Sequence, residues 1–186
     1  MRDRILMAAA EEINLRGFKF TMSDLTKRLS ISKTSLYEQF SSKNELVATL
    51  VAMAFTDVRE QEDGIYKSSS LSIAEKITAV LRVNPKIFGP FNERIYDDLR
   101  SSYPEEWQLV SAFRQERLEC LSALLIKGME NNSIRSVNLV VVQQMILGAI
   151  NQLFNYRFLT DSNITYADAM AAMADVLVYG LLAPEN

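Results

Sequence analysis

Helix-starting signals follow one another closely in the first 45 residues, and this spacing constrains the fold more than any other feature of the chain. A Ser or Thr at the N-cap with an acidic residue three positions later satisfies backbone N–H groups that a helix start leaves without partners. Thr21 and Asp24 fit this pattern, as do Ser42 and Glu45. Ser32 is a further N-cap candidate between them. The segments between these caps are long enough only for short helices.

The predicted N-terminal helices have the order and lengths of a helix-turn-helix. One helix is predicted over residues 2–15, a second over 22–29 and a third over 33–40. The second and third are short and are joined by a tight turn at Ser30–Ile31. The second helix of such a pair lies in the major groove of DNA, and this is the role expected for residues 33–40.

Apolar residues recur at helical spacing along the rest of the chain as well. Ile5, Ala8, Ala9 and Ile13 show this spacing in the first segment. Alternation with a period of two is scarce, and all four prolines lie at or beyond position 85. We therefore predict an all-α protein of about nine helices.

Composition excludes several kinds of chemistry. The chain has no histidine, and Cys120 is its one cysteine. A Ser-His-Asp triad, a Cys-His pair and an imidazole metal site all need histidine, and a disulfide needs a second cysteine. The sequence also has no Gly-rich phosphate loop. We expect a protein that is not an enzyme and that uses no metal and no cofactor.

Hydropathy favours a soluble protein. No window approaches the roughly 20 uninterrupted apolar residues that span a bilayer. The apolar run from Ile5 to Ala10 is followed at once by Glu11 and Glu12, so it is too short for a signal peptide. We expect a cytoplasmic location.

The net charge of −3 argues mildly against a nucleic-acid partner until it is resolved by position. The first 50 residues carry 8 Lys and Arg against 6 Asp and Glu, whereas the remaining residues carry 12 against 17. A net charge of +2 therefore precedes one of −5. A basic head on an acidic body is common in DNA-binding proteins that carry a separate sensing or assembly domain.

A set of short motifs at fixed spacing extends from Ile5 to about Val51. The motifs are Ala8-Ala9-Ala10, Gly17-Phe18, Phe20-Thr21, Asp24-Leu25, Ile31-Ser32-Lys33, Leu36-Tyr37, Phe40 and Ser42-Lys43-Asn44-Glu45-Leu46. This pattern resembles the tetracycline-repressor-like (TetR) family of transcriptional regulators. The resemblance implies a DNA-binding domain over residues 1–46. It also implies a helical C-terminal domain over 47–186 that dimerises and binds a small ligand.

Eight residues are candidate DNA contacts: Thr21, Ser32, Lys33, Thr34, Ser35, Tyr37, Glu38 and Lys43. Thr21 caps the second helix, so its hydroxyl and the neighbouring N–H groups can face a phosphate. The polar residues at 32–35 begin the third helix, where side chains approach base edges, and Tyr37 has a hydroxyl for a phosphate. The resemblance implies that Lys43 is a phosphate clamp. Plainer roles stay open, namely capping for Ser32, core packing for Tyr37 and solvated surface for the two lysines.

Several residues depart from the family pattern, and Thr26 and Leu29 stand where small alanines are usual. Ser30 stands where the family usually has Gly in the turn, and a positive φ there would cost a non-Gly residue about 1 kcal/mol. Glu38 lies on the recognition helix, where a carboxylate repels phosphates but accepts a hydrogen bond from cytosine N4. We expect moderate affinity for each monomer and dependence on the dimer. A small core should hold these helices: Leu25, Leu29, Ile31, Leu36 and Phe40.

The predicted helices over 137–158 and 166–182 are apolar on more than one face. A helix that is apolar all round is buried, and this body is too small to bury two of them. Pairing with a second copy solves the problem, and the resemblance implies the same four-helix bundle across a two-fold axis. The alternative is that both faces close a core within one chain. Two-fold symmetry predicts a palindromic operator.

The middle and C-terminal segments hold candidate ligand contacts: Phe55, Phe88, Phe91, Trp107, Phe113, Arg117, Gln144 and Asn151. The aromatic residues line an apolar pocket or belong to plain core. Arg117 holds an anionic group of a ligand or pairs on the surface, and we favour the surface. Gln144 and Asn151 belong to the pocket or to the dimer interface. Cys120 is expected to be a small buried apolar residue.

Together these features predict a homodimeric repressor that binds a palindromic DNA operator and is released by a small, largely apolar ligand. The alternative is a helical dimerisation or adaptor protein of the same fold without specific DNA binding. A helical enzyme would need a catalytic constellation that the sequence does not contain.

Overall fold

A computed structural model describes residues 1–88, 94–153 and 156–181 of the chain. Within these ranges the fold is all-helical, as predicted, and has ten α-helices where about nine were expected. In chain order they are α1 (Arg2–Arg16), α2 (Met22–Leu29), α3 (Lys33–Tyr37), α4 (Lys43–Lys67), α5 (Ile73–Leu81), α6 (Arg94–Ser102), α7 (Pro104–Glu130), α8 (Leu139–Leu153), α9 (Tyr156–Ser162) and α10 (Tyr166–Leu181).

Hydroxyl caps begin α2 and α3 as the sequence predicts, and a further one begins α5. Thr21 Oγ1 accepts from Asp24 N at 3.2 Å, and Asp24 Oδ2 accepts in return from Thr21 N at 2.8 Å. Ser72 and Glu75 form the same reciprocal box at the start of α5. Ser32 Oγ accepts the N-cap hydrogen bond of α3. Local sequence is enough to specify these starts, because each cap joins residues three positions apart.

The predicted capping box at the start of α4 forms in a different way. Glu45 N donates to Ser42 Oγ at 3.1 Å, as expected. Glu45 Oε2, however, accepts from the backbone N and the hydroxyl of Ser41, at 2.8 and 2.7 Å. The carboxylate therefore reaches one residue further back than the box requires, and two serines share the capping.

One predicted helix ends earlier than its apolar pattern suggests. α3 ends at Tyr37, although Phe40 N still donates to Leu36 O at 3.0 Å, so helical hydrogen bonding continues past its end. The helix predicted over 137–158 contains α8 and the start of α9, and positions 154 and 155 between them lie outside the described residues. The last predicted helix corresponds to α10.

The chain forms two compact units. Unit 1 comprises residues 1–58 and 85–111, and unit 2 comprises 59–84 and 112–186. The boundaries between the units fall inside α4 and inside α7. The division of function at residue 46 concerns roles rather than compactness, and it stays a prediction.

Unit 1 has a core built by α1–α4 together with α6 and the start of α7. Its fully buried side chains include Leu25, Leu36 and Phe40, and Leu29 and Ile31 pack against them. The small core predicted for the helix-turn-helix is therefore confirmed in all five positions.

Unit 2 has its own core, formed by α5, the rest of α7, α8 and α10. Ile77, Leu125 and Ala174 are buried at its centre. In the part of the chain that is described, no helix is long and apolar enough to cross a membrane.

Candidate nucleic-acid interface

In the turn between α2 and α3, Ser30 adopts the positive φ that its place in the family pattern suggested. Ser30 has φ 53° and ψ 45°, in the left-handed region that favours glycine. Its backbone N–H bonds back to α2, and Ile31 N donates to Thr26 O at 3.1 Å. The turn therefore closes α2 tightly and aims α3 away from it, at the cost of a strained serine.

α3 presents a polar surface and buries one side. Leu36 is completely buried, whereas Ser32, Lys33, Thr34, Tyr37 and Glu38 are exposed. Tyr37 is 48% exposed, so core packing is not its main role. These five candidate DNA contacts share one short helix and its ends. The arrangement suits a helix that enters a groove.

Two further candidate hydroxyls are already engaged. Thr21 Oγ1 donates to Asp24 Oδ2 at 2.7 Å while it accepts from Asp24 N. Ser35 Oγ lies 2.9 Å from Ser32 Oγ. A phosphate at the start of α2 would therefore meet backbone N–H groups more readily than the Thr21 hydroxyl proton.

Lys43 is half-buried, unlike the freely solvated lysine that a simple phosphate clamp suggests. Its ammonium donates to Phe18 O and lies 4.4 Å from the centre of the Phe20 ring. The Tyr103 ring centre is 5.9 Å away. Burial lowers the pKa of Lys43, and the nearby Asp24 and Asp98 carboxylates raise it. Lys43 thus joins α4 to the segment before α2, and it can contact DNA only from that fixed position.

Sequence reasoning missed a charged network that joins α1 to α2. Glu12 is 3% exposed, and its carboxylate accepts from Arg16 on α1 and, at 2.9 Å, from Arg28 on α2. Arg28 also pairs with Glu11. The hydrogen bond from Arg16 is the largest cause that lowers the pKa of Glu12 below 4.5. A detectable signal was present, since Glu12 follows the buried Ala8 and Ala9 at helical spacing on α1.

Arg2 was also missed. Its guanidinium donates to Gln39 O just after α3, lies 4.0 Å from the centre of the Phe40 ring and is 3.7 Å from Glu45. These contacts fix the end of α3 from the start of α1. No short-range pattern could reveal them, because Arg2 and Gln39 are distant in sequence.

A close approach at Gly17 completes unit 1. Gly17 ends α1 with φ 66° and ψ −156°, and a β-carbon there would collide with the Asp98 carboxylate of α6. Asp98 Oδ2 accepts from Phe18 N at 3.3 Å, and the Phe18 and Tyr103 ring centres are 5.1 Å apart. The 3-10 turn that follows α1 is therefore held against α6.

The candidate ligand aromatics do not all lie in one compact unit. Phe55, Phe88 and Trp107 are half-buried against the core of unit 1. Phe113 is buried in unit 2, where the Arg59 guanidinium lies 4.8 Å from its ring centre. Phe91 lies outside the described residues.

The two polar candidates on α8 are exposed. Gln144 and Asn151 lie on the exposed side of α8 together with Val140 and Met145, which are 65% and 61% exposed. Within one chain neither side chain is enclosed by the described residues. Of the two roles considered for them, the dimer interface suits this position better.

The surface pairing favoured for Arg117 is wrong. Arg117 Nε donates to the buried carboxylate of Glu62 at 2.7 Å. Its Nη2 donates to Val80 O and Val83 O at 3.2 and 3.4 Å. The guanidinium is therefore bonded inside unit 2, where it caps the carbonyls at the end of α5.

Cys120 is exposed, so the expectation of a buried cysteine is also wrong. It stands on the outer side of α7. Partial burial and the acidic side chains around it, Glu62 foremost, raise the pKa of its thiol. A raised pKa keeps the sulfur protonated and unreactive.

Among the described residues, no group of three or more acidic or Cys side chains is placed to hold a metal ion.

The chain is similar to known bacterial regulators over its whole length. Residues 5–50 match the family model described as bacterial regulatory proteins, tetR family. The uncharacterized HTH-type transcriptional regulator YvaF of Bacillus subtilis (strain 168) is 30% identical over 186 residues, which is 100% of this chain and 98% of that protein.

Solved structures show the same fold. A TetR-family transcriptional regulator from Marinobacter aquaeolei VT8 has a TM-score of 0.77 at 20% identity, covering 99% of this chain and 92% of that one. PfmR, a TetR family transcriptional regulator from Thermus thermophilus, has a TM-score of 0.68 at 22% identity, covering 99% and 100%. Residues 5–50, which match the family model, contain α2, the turn and α3. α3 is the helix that presents the exposed polar surface. The chain belongs to the tetR family of bacterial regulatory proteins, which are DNA-binding transcriptional regulators.

Proposed function

We propose that this regulator is a homodimeric repressor that binds a palindromic operator through α3 and is released by a small, largely apolar ligand. In this proposal residues 1–46 bind DNA in the cytoplasm, and residues 47–186 dimerise and bind the ligand. The exposed polar surface of α3 is the observation that carries it.

The chemistry of α3 supports base and backbone contacts together. Lys33 supplies a cation for a phosphate, and Thr34 is small enough to let the helix approach base edges closely. Tyr37 offers its hydroxyl from an exposed position. Glu38 accepts a hydrogen bond from cytosine N4, so one position of the operator should favour cytosine.

Dimerisation is supported by apolar side chains that a single chain leaves in water. Val140, Val141 and Met145 on α8 are 65%, 53% and 61% exposed, and Val176 and Tyr179 on α10 are 75% and 78% exposed. α8 and α10 contact each other, and exposed apolar side chains of this kind on neighbouring helices are typical of an interface. We propose that the occupant is a second copy of the chain, because an isologous interface between two such helix pairs brings two α3 helices to one palindrome.

Release by a ligand follows from population shift. A ligand that binds better to a dimer whose α3 helices are wrongly spaced lowers operator affinity by the ratio of its two affinities. The DNA-binding part carries only a mild positive charge, so we expect one subunit alone to bind DNA weakly. Operator binding should then depend on the spacing of the two α3 helices in the dimer.

The direct test is a gel shift of the full-length protein with a DNA fragment from beside its own gene. We expect a sharp shift at low salt that a scrambled fragment does not compete away. A matched pair of variants locates the interface. Thr34→Glu should abolish the shift, because it puts a carboxylate on the exposed face of α3. Thr56→Glu, an exposed threonine on α4, should leave the shift unchanged.

The alternative is a dimerising protein without specific DNA binding. An intact dimer that fails to shift any fragment at low salt would favour this alternative and would overturn the repressor.

A further inference from the structure

A buried hydroxyl inside unit 2 has no hydrogen-bond partner among the described residues. Tyr66, in the last turns of α4, has an Oη that is shielded from solvent and bonds to none of them. Buried polar atoms in proteins are almost always paired, and an unpaired one destabilises the fold. This oxygen is therefore placed for a partner from outside the described chain.

The surroundings of Tyr66 are largely apolar. Its side chain packs against the core of unit 2, which includes Ile77, Leu121 and Leu125. Burial is the main cause that raises the pKa of Tyr66, and the Glu62 carboxylate raises it further. The phenol therefore stays protonated, so it can donate one hydrogen bond to an acceptor.

A charge pair beside Tyr66 is already satisfied by other groups. Glu62 lies one turn earlier on α4, is 5% exposed and accepts from Arg117 Nε at 2.7 Å. Arg117 Nη2 donates hydrogen bonds to two backbone carbonyls at the end of α5. The positive charge of Arg117 is thus balanced by Glu62 and by the negative end of the α5 dipole.

A second anion is disfavoured at this place. Burial raises the pKa of Glu62 although Arg117 lowers it, so the buried negative charge is already destabilised. A carboxylate next to the Tyr66 hydroxyl would add another negative charge near Glu62, whose charge already acts on the Tyr66 phenol. A neutral carbonyl or hydroxyl oxygen would accept from Tyr66 without this repulsion.

We propose that Tyr66 Oη anchors the effector, that the effector is a small apolar molecule with a neutral ketone or alcohol oxygen, and that Glu62 discriminates against the matching carboxylate. The inference rests on the proposed function, since it names the class of ligand that would release the operator.

The first experiment needs no ligand. Tyr66→Phe removes the unpaired hydroxyl, so the melting temperature of the full-length protein should rise by about 2–4 °C. The control is Tyr166→Phe, which changes a second tyrosine of unit 2 and should give no such rise. A lower melting temperature for Tyr66→Phe would mean that the hydroxyl is satisfied in the protein, and this result would overturn the proposal.

The second experiment uses two matched series of probes. One series is decane, a decanone and decanoate, and the other is naphthalene, acetonaphthone and naphthoate. For the wild type we expect a ketone of at least one series to raise the melting temperature above the values for its hydrocarbon and its carboxylate. Tyr66→Phe should lose about tenfold in affinity for that ketone and keep its affinity for the hydrocarbon.

Three results of the probe series would overturn the proposal: tightest binding of a carboxylate, an unchanged ketone affinity in Tyr66→Phe, or no shift with any probe. Gel shifts on the same samples separate this failure from failure of the repressor. If the wild type binds no operator, the repressor is lost while the melting data still report on Tyr66. If it binds operator and the probe data fail, only the effector class is lost.

Discussion

Ser30 holds the turn of the helix-turn-helix in a backbone conformation that an L-residue adopts at a cost. With φ 53° its β-carbon crowds the neighbouring carbonyl, and glycine would avoid that crowding. The strain falls on the element that sets the angle between α2 and α3. The orientation of the recognition helix therefore depends on a turn that is less stable than a glycine turn would be.

Ser30→Gly should stabilise the protein by about 0.5–1 kcal/mol, because relief of the strain exceeds the added freedom of the unfolded chain. Urea unfolding of the two proteins under one condition measures the difference. Ser30→Ala is the control, since alanine keeps the β-carbon and should gain nothing. A gain for alanine equal to that for glycine would contradict strain as the cause.

Replacement of Lys33 and of Lys43 should have similar effects on DNA binding but different effects on stability. Lys33→Ala and Lys43→Ala should each weaken binding to all DNA sequences alike and flatten the slope of log affinity against log salt by about 1. Lys43→Ala should also lower the melting temperature, because its ammonium bonds Phe18 O and faces the Phe20 ring. Lys33 is exposed, so its loss should leave the melting temperature unchanged.

Salt titrations of operator binding and thermal melts of both variants make the comparison. An unchanged salt slope in Lys43→Ala would remove Lys43 from the phosphate contacts and leave it a positioning residue.

At this scale the sequence predicted what depends on near neighbours. The caps at Thr21 and Ser32 each involve a bond across three residues, so the residue types suffice. The partners of Lys43 and Arg117 come from other elements, and no spacing rule connects them. This is why Arg117 was wrongly placed on the surface.

At the scale of elements, α1 and α2 are joined by charge as well as by apolar packing. Glu12 accepts from both Arg16 and Arg28 while its own side chain is nearly out of solvent. The arginines remain partly exposed, so they reduce the cost of burying one carboxylate without being buried themselves. The network fixes α2, and through the turn it fixes α3.

Glu12→Gln should destabilise the protein by about 1–2 kcal/mol at neutral pH, since it removes charged hydrogen bonds from a buried group. Because the pKa of Glu12 is lowered in the folded protein, its contribution is present above its ordinary value of 4.5 and disappears as the pH falls through and below it. The difference in free energy of unfolding between Glu12→Gln and wild type should therefore be smaller at about pH 3.5 than at neutral pH.

Urea unfolding at both pH values tests this, with Glu11→Gln as the control. Glu11 pairs with the same Arg28 but is exposed, so its replacement should cost much less. Equal losses for the two glutamates would show that burial of Glu12 adds nothing.

Helix boundaries followed the sequence where a cap marks them and departed from it elsewhere. α2 begins and ends where Thr21 and Ser30 predict. α3 ends at Tyr37, three residues before the end predicted at position 40, and no cap residue marks that end in the sequence.

At the scale of the whole molecule, the all-helical class and the helix-turn-helix were predictable, whereas the division into units was not. Unit 1 recruits residues 85–111 to the N-terminal helices, and it does so through contacts such as Asp98 with Phe18. Such contacts join residues about 80 positions apart. They depend on tertiary packing that local patterns do not encode.

Dimerisation can be tested by one substitution on the exposed side of α8. Met145→Glu puts a charge into the proposed interface and should yield a monomer in analytical ultracentrifugation. Operator affinity should fall by more than about tenfold, because each head then binds alone. Leu109→Glu, at an equally exposed apolar residue of α7, should remain dimeric. A dimeric Met145→Glu protein would place the interface elsewhere.

Gly17 limits how the sequence of this regulator can drift. Its backbone conformation is open almost only to glycine, and the Asp98 carboxylate fills the space where any side chain would begin. The backbone conformation and the nearby Asp98 carboxylate each require glycine at position 17. Removing one of these constraints therefore leaves the other. In a saturation library selected for DNA binding, we expect position 17 to return glycine alone, even in clones that carry a smaller residue at position 98.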